Sequence, residues 1–169
     1  MSYNSRVLRA AAAACDPDVD FVLWSGLDAI PAYNEDVEHV PSAVVHLKEE
    51  IATADAILLA TPEYNTSVPG ALKNALDWVS RPFDANPLRD KPVAVVGASQ
   101  GVFGAVWAQD ELRKILRTIG ARVVDEHRLS IGDAQQAFTP DGRLRNPRQA
   151  AALAATLRSL LQQTSRRAA

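Results

Sequence analysis

An α/β fold built on a parallel, doubly wound sheet is what this sequence predicts, on three observations. Short continuous apolar runs recur along the chain, as strands buried on both faces require. Between them lie segments whose apolar residues return at helical spacing. The two kinds of segment alternate throughout, and such alternation predicts crossover helices that join parallel strands.

Each element has its own signal. Arg6 to Cys15 reads as a helix, because an alanine run follows Val7 and Leu8 and Asp16-Pro17 ends it. Asp20 to Trp24, "DFVLW", reads as a strand. A loop with Pro31, Asn34 and Pro41 follows, and Pro41 suits a first helical turn. Val44, Leu47 and Ile51 then mark one helical face. "AILLA" (56–60) and "PVAVVGAS" (92–99) are strands of the fully buried kind. Leu72, Ala75, Leu76 and Val79 mark a helix that stops at Arg81-Pro82, and Leu112, Ile115, Leu116 and Ile119 mark another, with Gly120 placed to cap it. "ARVVDE" with "HRLSIG" supplies a last strand, and residues 147–162 a terminal helix. One element is missing. The first segment is a helix that starts almost at Met1, where this pattern normally opens with a strand in the interior of the sheet.

Length and composition bound the function. A chain of 169 residues suits a single domain with a sizeable core, and no repeat or linker divides it. The formal net charge of −2 gives no electrostatic reason to expect nucleic acid or an anionic membrane. No apolar run approaches the ~20 residues of a membrane helix, and the alanine run near the start lacks the make-up of a signal peptide. Cys15 is the only cysteine, which excludes an internal disulfide and favours a cytoplasmic location. His39, His46 and His127 show no metal-ligand spacing, so no metal site is expected.

The loop "TPEYNTSVPG" (61–70) carries the strongest chemical signal. Pro62 and Pro69 restrict its backbone, Tyr64 offers a flat ring, and Asn65 and Ser67 offer donors and acceptors. That set suits a planar ring with polar edges better than a lone phosphate. A plain capped strand-to-helix turn, with Thr66 or Ser67 as the cap, accounts for the same composition. In open α/β sheets ligands bind beyond the carboxyl ends of strands, where strand order reverses. Both 62–69 and 97–104 lie at strand carboxyl ends.

"TPEYNTSVPGALKNALDWVSRP" closely resembles the signature of the NADPH-dependent FMN reductase family, the flavodoxin-like group of chromate, quinone and some azo reductases. "IPAYNED" (30–36), "VAVVGASQGVFGA" and "AQDELRKIL" resemble further family segments, and the resemblance runs from about Ser2 to the C-terminal helix. It implies a flavodoxin-like sheet with FMN at its carboxyl edge. Pro62, Glu63, Tyr64 and Asn65 would line the ribityl and isoalloxazine side, with Ser99, Gly101 and Phe103 approaching from the next loop. The family holds the phosphate in a loop of the form G-S-x-R-x-x-S-[YF]-N, of which only Ser2-Tyr3-Asn4 is present. Ser2 and Asn4 at a helix N-terminus still favour a phosphate through amides and dipole, in a site weakened by the loss of the arginine. The missing strand and loop have two explanations. The start is internal to a longer natural product, or the protein is genuinely shortened with a damaged flavin site. The first is preferred, since losing an interior strand costs on the order of the ~5–15 kcal/mol that a whole domain has. Trp107 stands where the family is expected to carry arginine.

The resemblance further implies NADPH or NADH as donor and a small-molecule electron acceptor such as a quinone, azo dye or oxidised metal. It also implies a homodimer or homotetramer, for which Trp78, Trp107 and the Tyr33 loop give weak support. The cofactor carries the chemistry, so no catalytic side chain is nominated. Two rivals stand beside this reading. A flavin-free structural or regulatory relative is made possible by the incomplete phosphate loop. A serine esterase is suggested by "GASQG" (97–101), which matches G-x-S-x-G, with Ser99 as nucleophile and Asp125 and His127 following in chain order.

Overall fold

The computed structural model describes residues 2–165. Its elements are α1 (Tyr3–Ala14), α2 (Ser42–Thr53), β1 (Ile57–Thr61), α3 (Gly70–Val79), β2 (Pro92–Ala98), α4 (Val106–Thr118), β3 (Arg122–Ile131) and α5 (Pro147–Ser165). The strands are parallel and lie in the order β1-β2-β3. No reversal of strand order therefore falls among the described residues, and the sheet's carboxyl edge gathers its loops without one.

Alternation along β2 sorts the core into two layers. Val93 and Val95 face α2, α3 and α4, where Val44, Leu47, Ile51, Leu76, Val79, Leu112 and Leu116 close over them. Val96 and Ala98 face α1 and α5, against Val7, Ala11, Leu153 and Leu157. β2 is buried along its whole length because it has a strand on either side and helices on both faces. Its continuous apolar run is thus explained by position rather than by alternation.

β3 is longer than the register needs. Ala94 pairs with Val124 and Val96 with Leu129, so residues 125–128 interrupt the ladder. The interruption keeps the apolar residues on the α5 side: Val124 packs with Leu160, and Leu129 and Ile131 with the α1–α5 layer. Helix α4 ends in a Schellman arrangement. Gly120 sits at φ 93, its N–H donates to the Arg117 carbonyl, and the Ala121 N–H donates to the Leu116 carbonyl.

Two expectations are corrected. Helix α1 begins at Tyr3 rather than Arg6, because Ser2 caps it by accepting from the Ser5 N–H. "DFVLW" is not a strand. A strand needs a ladder partner, and this segment is not hydrogen-bonded into the described three-stranded sheet. Its side chains still reach both core layers, Phe21 on the α1–α5 side and Trp24 on the α2–α3 side, while Val22 and Leu23 are exposed. The indole Nε1 of Trp24 is buried without a hydrogen-bond partner among the described residues. The same gap leaves β1 an edge strand, and residues 57–60 are only half-buried despite their apolar make-up.

Candidate functional site

Four segments meet at the carboxyl edge of the sheet. These are the start of α1, the loop after β1, the loop after β2, and the turn after β3. Asn4 is the first tie. It is buried, its side-chain amide donates to the Ala98 carbonyl at 2.9 Å, and its Oδ1 accepts from the Ala98 N–H at 2.9 Å. This paired bond seats the N-terminus of α1 beside the end of β2. The loop after β2 is tied in turn to β3: the Ser99 N–H donates to the Ile131 carbonyl, and the Ala134 N–H donates to the Ser99 carbonyl.

Packing there leaves no room for side chains at Gly104 and Gly132. A Cβ on Gly104, which sits at φ 62, would lie 2.6 Å from the Ile131 nitrogen, and one on Gly132 only 2.2 Å from the Val102 carbonyl oxygen. Gln109 locks this layer from beneath. It is fully buried, donates through Nε2 to the Gly104 carbonyl and to Ser130 Oγ, and accepts from Arg113. Arg113 is itself buried and donates to the Val95 carbonyl. Burial, and then the charge of Arg128, pull the Arg113 guanidinium below its ordinary value. Neither residue was singled out from sequence. The signal was present: Gln109 and Arg113 lie on the same helical face as Leu112 and Leu116.

The loop after β1 is a tight turn. Tyr64 and Ser67 exchange two backbone hydrogen bonds of 3.1 Å across Asn65 and Thr66, at φ 52 and 61. Positive φ at both central positions marks a turn of type I′, and asparagine suits it. Tyr64 and Asn65 project into solvent. Glu63 is engaged, for its Oε2 accepts from the Ala108 N–H in the first turn of α4 at 3.0 Å. In the loop after β2, Gly101 and Phe103 are exposed, Phe103 meets Trp107 edge-on at 4.9 Å, and Ser99 Oγ accepts from the Gly101 N–H. The backbone N–H groups of Gln100, Val102 and Phe103 have no acceptor among the described residues.

The donor set fits FMN unevenly. At the ring side, an exposed aromatic face, an amide side chain and free backbone donors suit a planar ring with polar edges. At the phosphate end stand the Ser2 hydroxyl and the first amides of α1, while the Asn4 side chain is taken up by Ala98. Arg6, the nearest cation in sequence, turns away to the Thr139 carbonyl and the Phe138 ring.

The esterase constellation does not assemble. Asp125 and His127 lie in the interruption of β3, level with 94–96 of β2. At ~3.3 Å per residue this is on the order of 10–15 Å short of Ser99. Asp125 is also bonded to Arg117 and Arg128. Trp78 is a core residue, donating to the Pro31 carbonyl and meeting Tyr33 edge-on, so it lines no pocket. No group of three or more potential metal ligands occurs among the described residues. No helix among them is long and apolar enough to cross a membrane.

Comparison with known proteins identifies the family and the fold. The model of the NADPH-dependent FMN reductase family matches residues 1–136. An NAD(P)H-dependent FMN reductase of Pseudomonas aeruginosa is 44% identical over 145 residues, which are 85% of this chain and 77% of that protein. A quinone reductase of Escherichia coli is 38% identical over 142 residues, 82% of this chain and 75% of that protein. Among solved structures, the flavoenzyme FerB of Paracoccus denitrificans, an NAD(P)H:acceptor oxidoreductase, superposes with a TM-score of 0.89 at 32% identity. The match covers 98% of this chain and 91% of that one. This flavodoxin-like chain therefore belongs to the NADPH-dependent FMN reductase family, whose members are oxidoreductases working with FMN and NAD(P)H.

Proposed function

We propose that the chain, as one domain, passes electrons from NADPH or NADH through FMN to a quinone or a related small acceptor. The observation that carries the reading is the convergence, at one sheet edge, of the Tyr64–Ser67 turn and the open amides of Gln100, Val102 and Phe103. Quinone reductases and a 2-hydroxy-1,4-benzoquinone reductase among the relatives support the acceptor class.

FMN, when bound, accepts hydride from the nicotinamide and donates electrons onward, so the reaction asks for no general acid or base from the protein. Pro62, Glu63, Tyr64 and Asn65 bind the ring from one loop, and Ser99, Gly101 and Phe103 from the other. Glu63 serves by fixing its own loop to α4, since its Oε2 already accepts from Ala108. Ser2, Tyr3 and Asn4 present amide donors and the positive end of α1 to the phosphate. Exposed Phe83, Phe103 and Trp107 support a homodimer or homotetramer, and the lone Cys15 supports a cytoplasmic location.

The test is a titration of the purified chain with FMN, followed by flavin fluorescence, and an assay of NADPH oxidation with benzoquinone. Saturable quenching with flavin-dependent turnover is expected. A chain that neither quenches flavin nor turns over with FMN in excess refutes the reading and leaves the flavin-free relative. Loss of fluorophosphonate labelling in Ser99→Ala would favour the esterase instead.

A further inference from the structure

The turn that carries the ring side of the site is held from outside itself. Left-handed backbone is tolerable for Asn65 and costly for Thr66, whose branched side chain crowds the backbone at φ 61. The Thr66 hydroxyl reaches only the Asn65 carbonyl, so the side chain ties the turn to nothing beyond its neighbour. Pro69, at the N-cap of α3, has no side chain with which to cap that helix. A carboxylate of another helix fixes the chain between the turn and that helix. Oε2 of Glu111, from the second turn of α4, accepts from Ser67 Oγ at 2.6 Å and from the Val68 N–H at 3.2 Å. Glu63 reaches the opposite way to the Ala108 N–H. The two carboxylates clasp the loop after β1 to α4 at both of its ends.

We infer that Glu111 is a positioning residue of the flavin site. It holds the Tyr64–Ser67 turn in its left-handed geometry, and through it the ring-facing Tyr64 and Asn65. The inference rests on the flavin reading for its consequence but not for its geometry. Glu111 lies on the solvent-exposed face of α4, where water competes for its hydrogen bonds, so its loss loosens the turn rather than unfolding the chain.

The experiment compares Glu111→Ala, Glu111→Gln and Ser67→Ala with the parent chain. Amide hydrogen exchange over residues 62–69 is read in the absence of flavin, and FMN affinity by fluorescence quenching. In Glu111→Ala, exchange at Tyr64 and Ser67 should quicken, and the FMN Kd rise, by about three- to tenfold, as loss of a charge-assisted bond to a turn predicts. Glu111→Gln keeps an acceptor oxygen but loses the charge, and should be impaired less than Glu111→Ala. Ser67→Ala removes only the 2.6 Å bond and should fall between the parent and Glu111→Ala. Unchanged exchange and affinity in Glu111→Ala overturn the inference, as does a Glu111→Gln variant as impaired as Glu111→Ala. A parent chain that binds no FMN refutes the function proposed above, while the flavin-free exchange still decides whether Glu111 holds the turn.

Discussion

Asn4 shows how much one residue can be read and misread from sequence. Its type and its place at a helix start nominate it for a ligand loop, and in the structure it stands in the first turn of α1. What no local pattern reveals is that its side chain spends both its donor and its acceptor on Ala98, 94 residues away. In the proposed flavin site Asn4 is therefore left its backbone N–H and the seating of α1. Replacing it with alanine would leave the buried N–H and carbonyl of Ala98 without partners. A loss of about 1–3 kcal/mol is expected, measurable as a lowered urea midpoint. Tyr64 and Asn65 were legible for the opposite reason. Both are exposed, and composition at a strand's carboxyl end is enough to nominate them. Gln109 and Glu111 escaped notice because their value lies in partners that only the folded chain supplies.

Elements were legible where the chain itself enforces their limits. The Gly120 stop of α4 and the apolar run of β2 fall where sequence placed them, whereas α3 is entered through Pro69 and neither Thr66 nor Ser67 caps it. The interruption in β3 was not legible, because nothing local distinguishes residues 125–128 from strand. It is held by charge across elements. Asp125 accepts from Arg117 of α4 at 2.6 Å and from Arg128 at 3.2 Å, and Arg128 reaches on to Asp110 of α4. Burial pulls the Asp125 carboxyl upward, but the bonds and charges of Arg117 and Arg128 together outweigh it and hold the group below its ordinary range. Since the folded value lies below the unfolded one, this stabilisation is present above the ordinary carboxyl value of 3.8 and is lost as pH falls below it. Unfolding midpoints measured between about pH 2 and pH 6 should therefore fall less steeply with acid in Asp125→Asn than in the parent chain.

For the whole molecule, alternation of periodicities was enough to give the class, the parallel sheet and the two helical layers. Strand pairing was harder. "DFVLW" has every local mark of a strand, yet no described strand forms a ladder with it. Hydrophobic pattern states which residues want burial; it does not supply the chain that would hydrogen-bond to them. The same gap sets the order of local stability. Backbone amides of β2 should be the slowest to exchange, and those of β1 that point away from β2 should exchange far faster, in a pattern alternating along 57–61. Uniform protection across β1 in hydrogen-exchange mass spectrometry or NMR would contradict the open edge.

That edge has a colloidal consequence. Ile57, Leu58, Leu59 and Ala60 carry no charge and no proline, the features by which proteins usually discourage their edges from joining. Among the described residues, that unpaired edge is a template on which a second copy can add a strand. Turbidity on warming is the property in which β1, rather than the well-packed sheet behind it, should show itself.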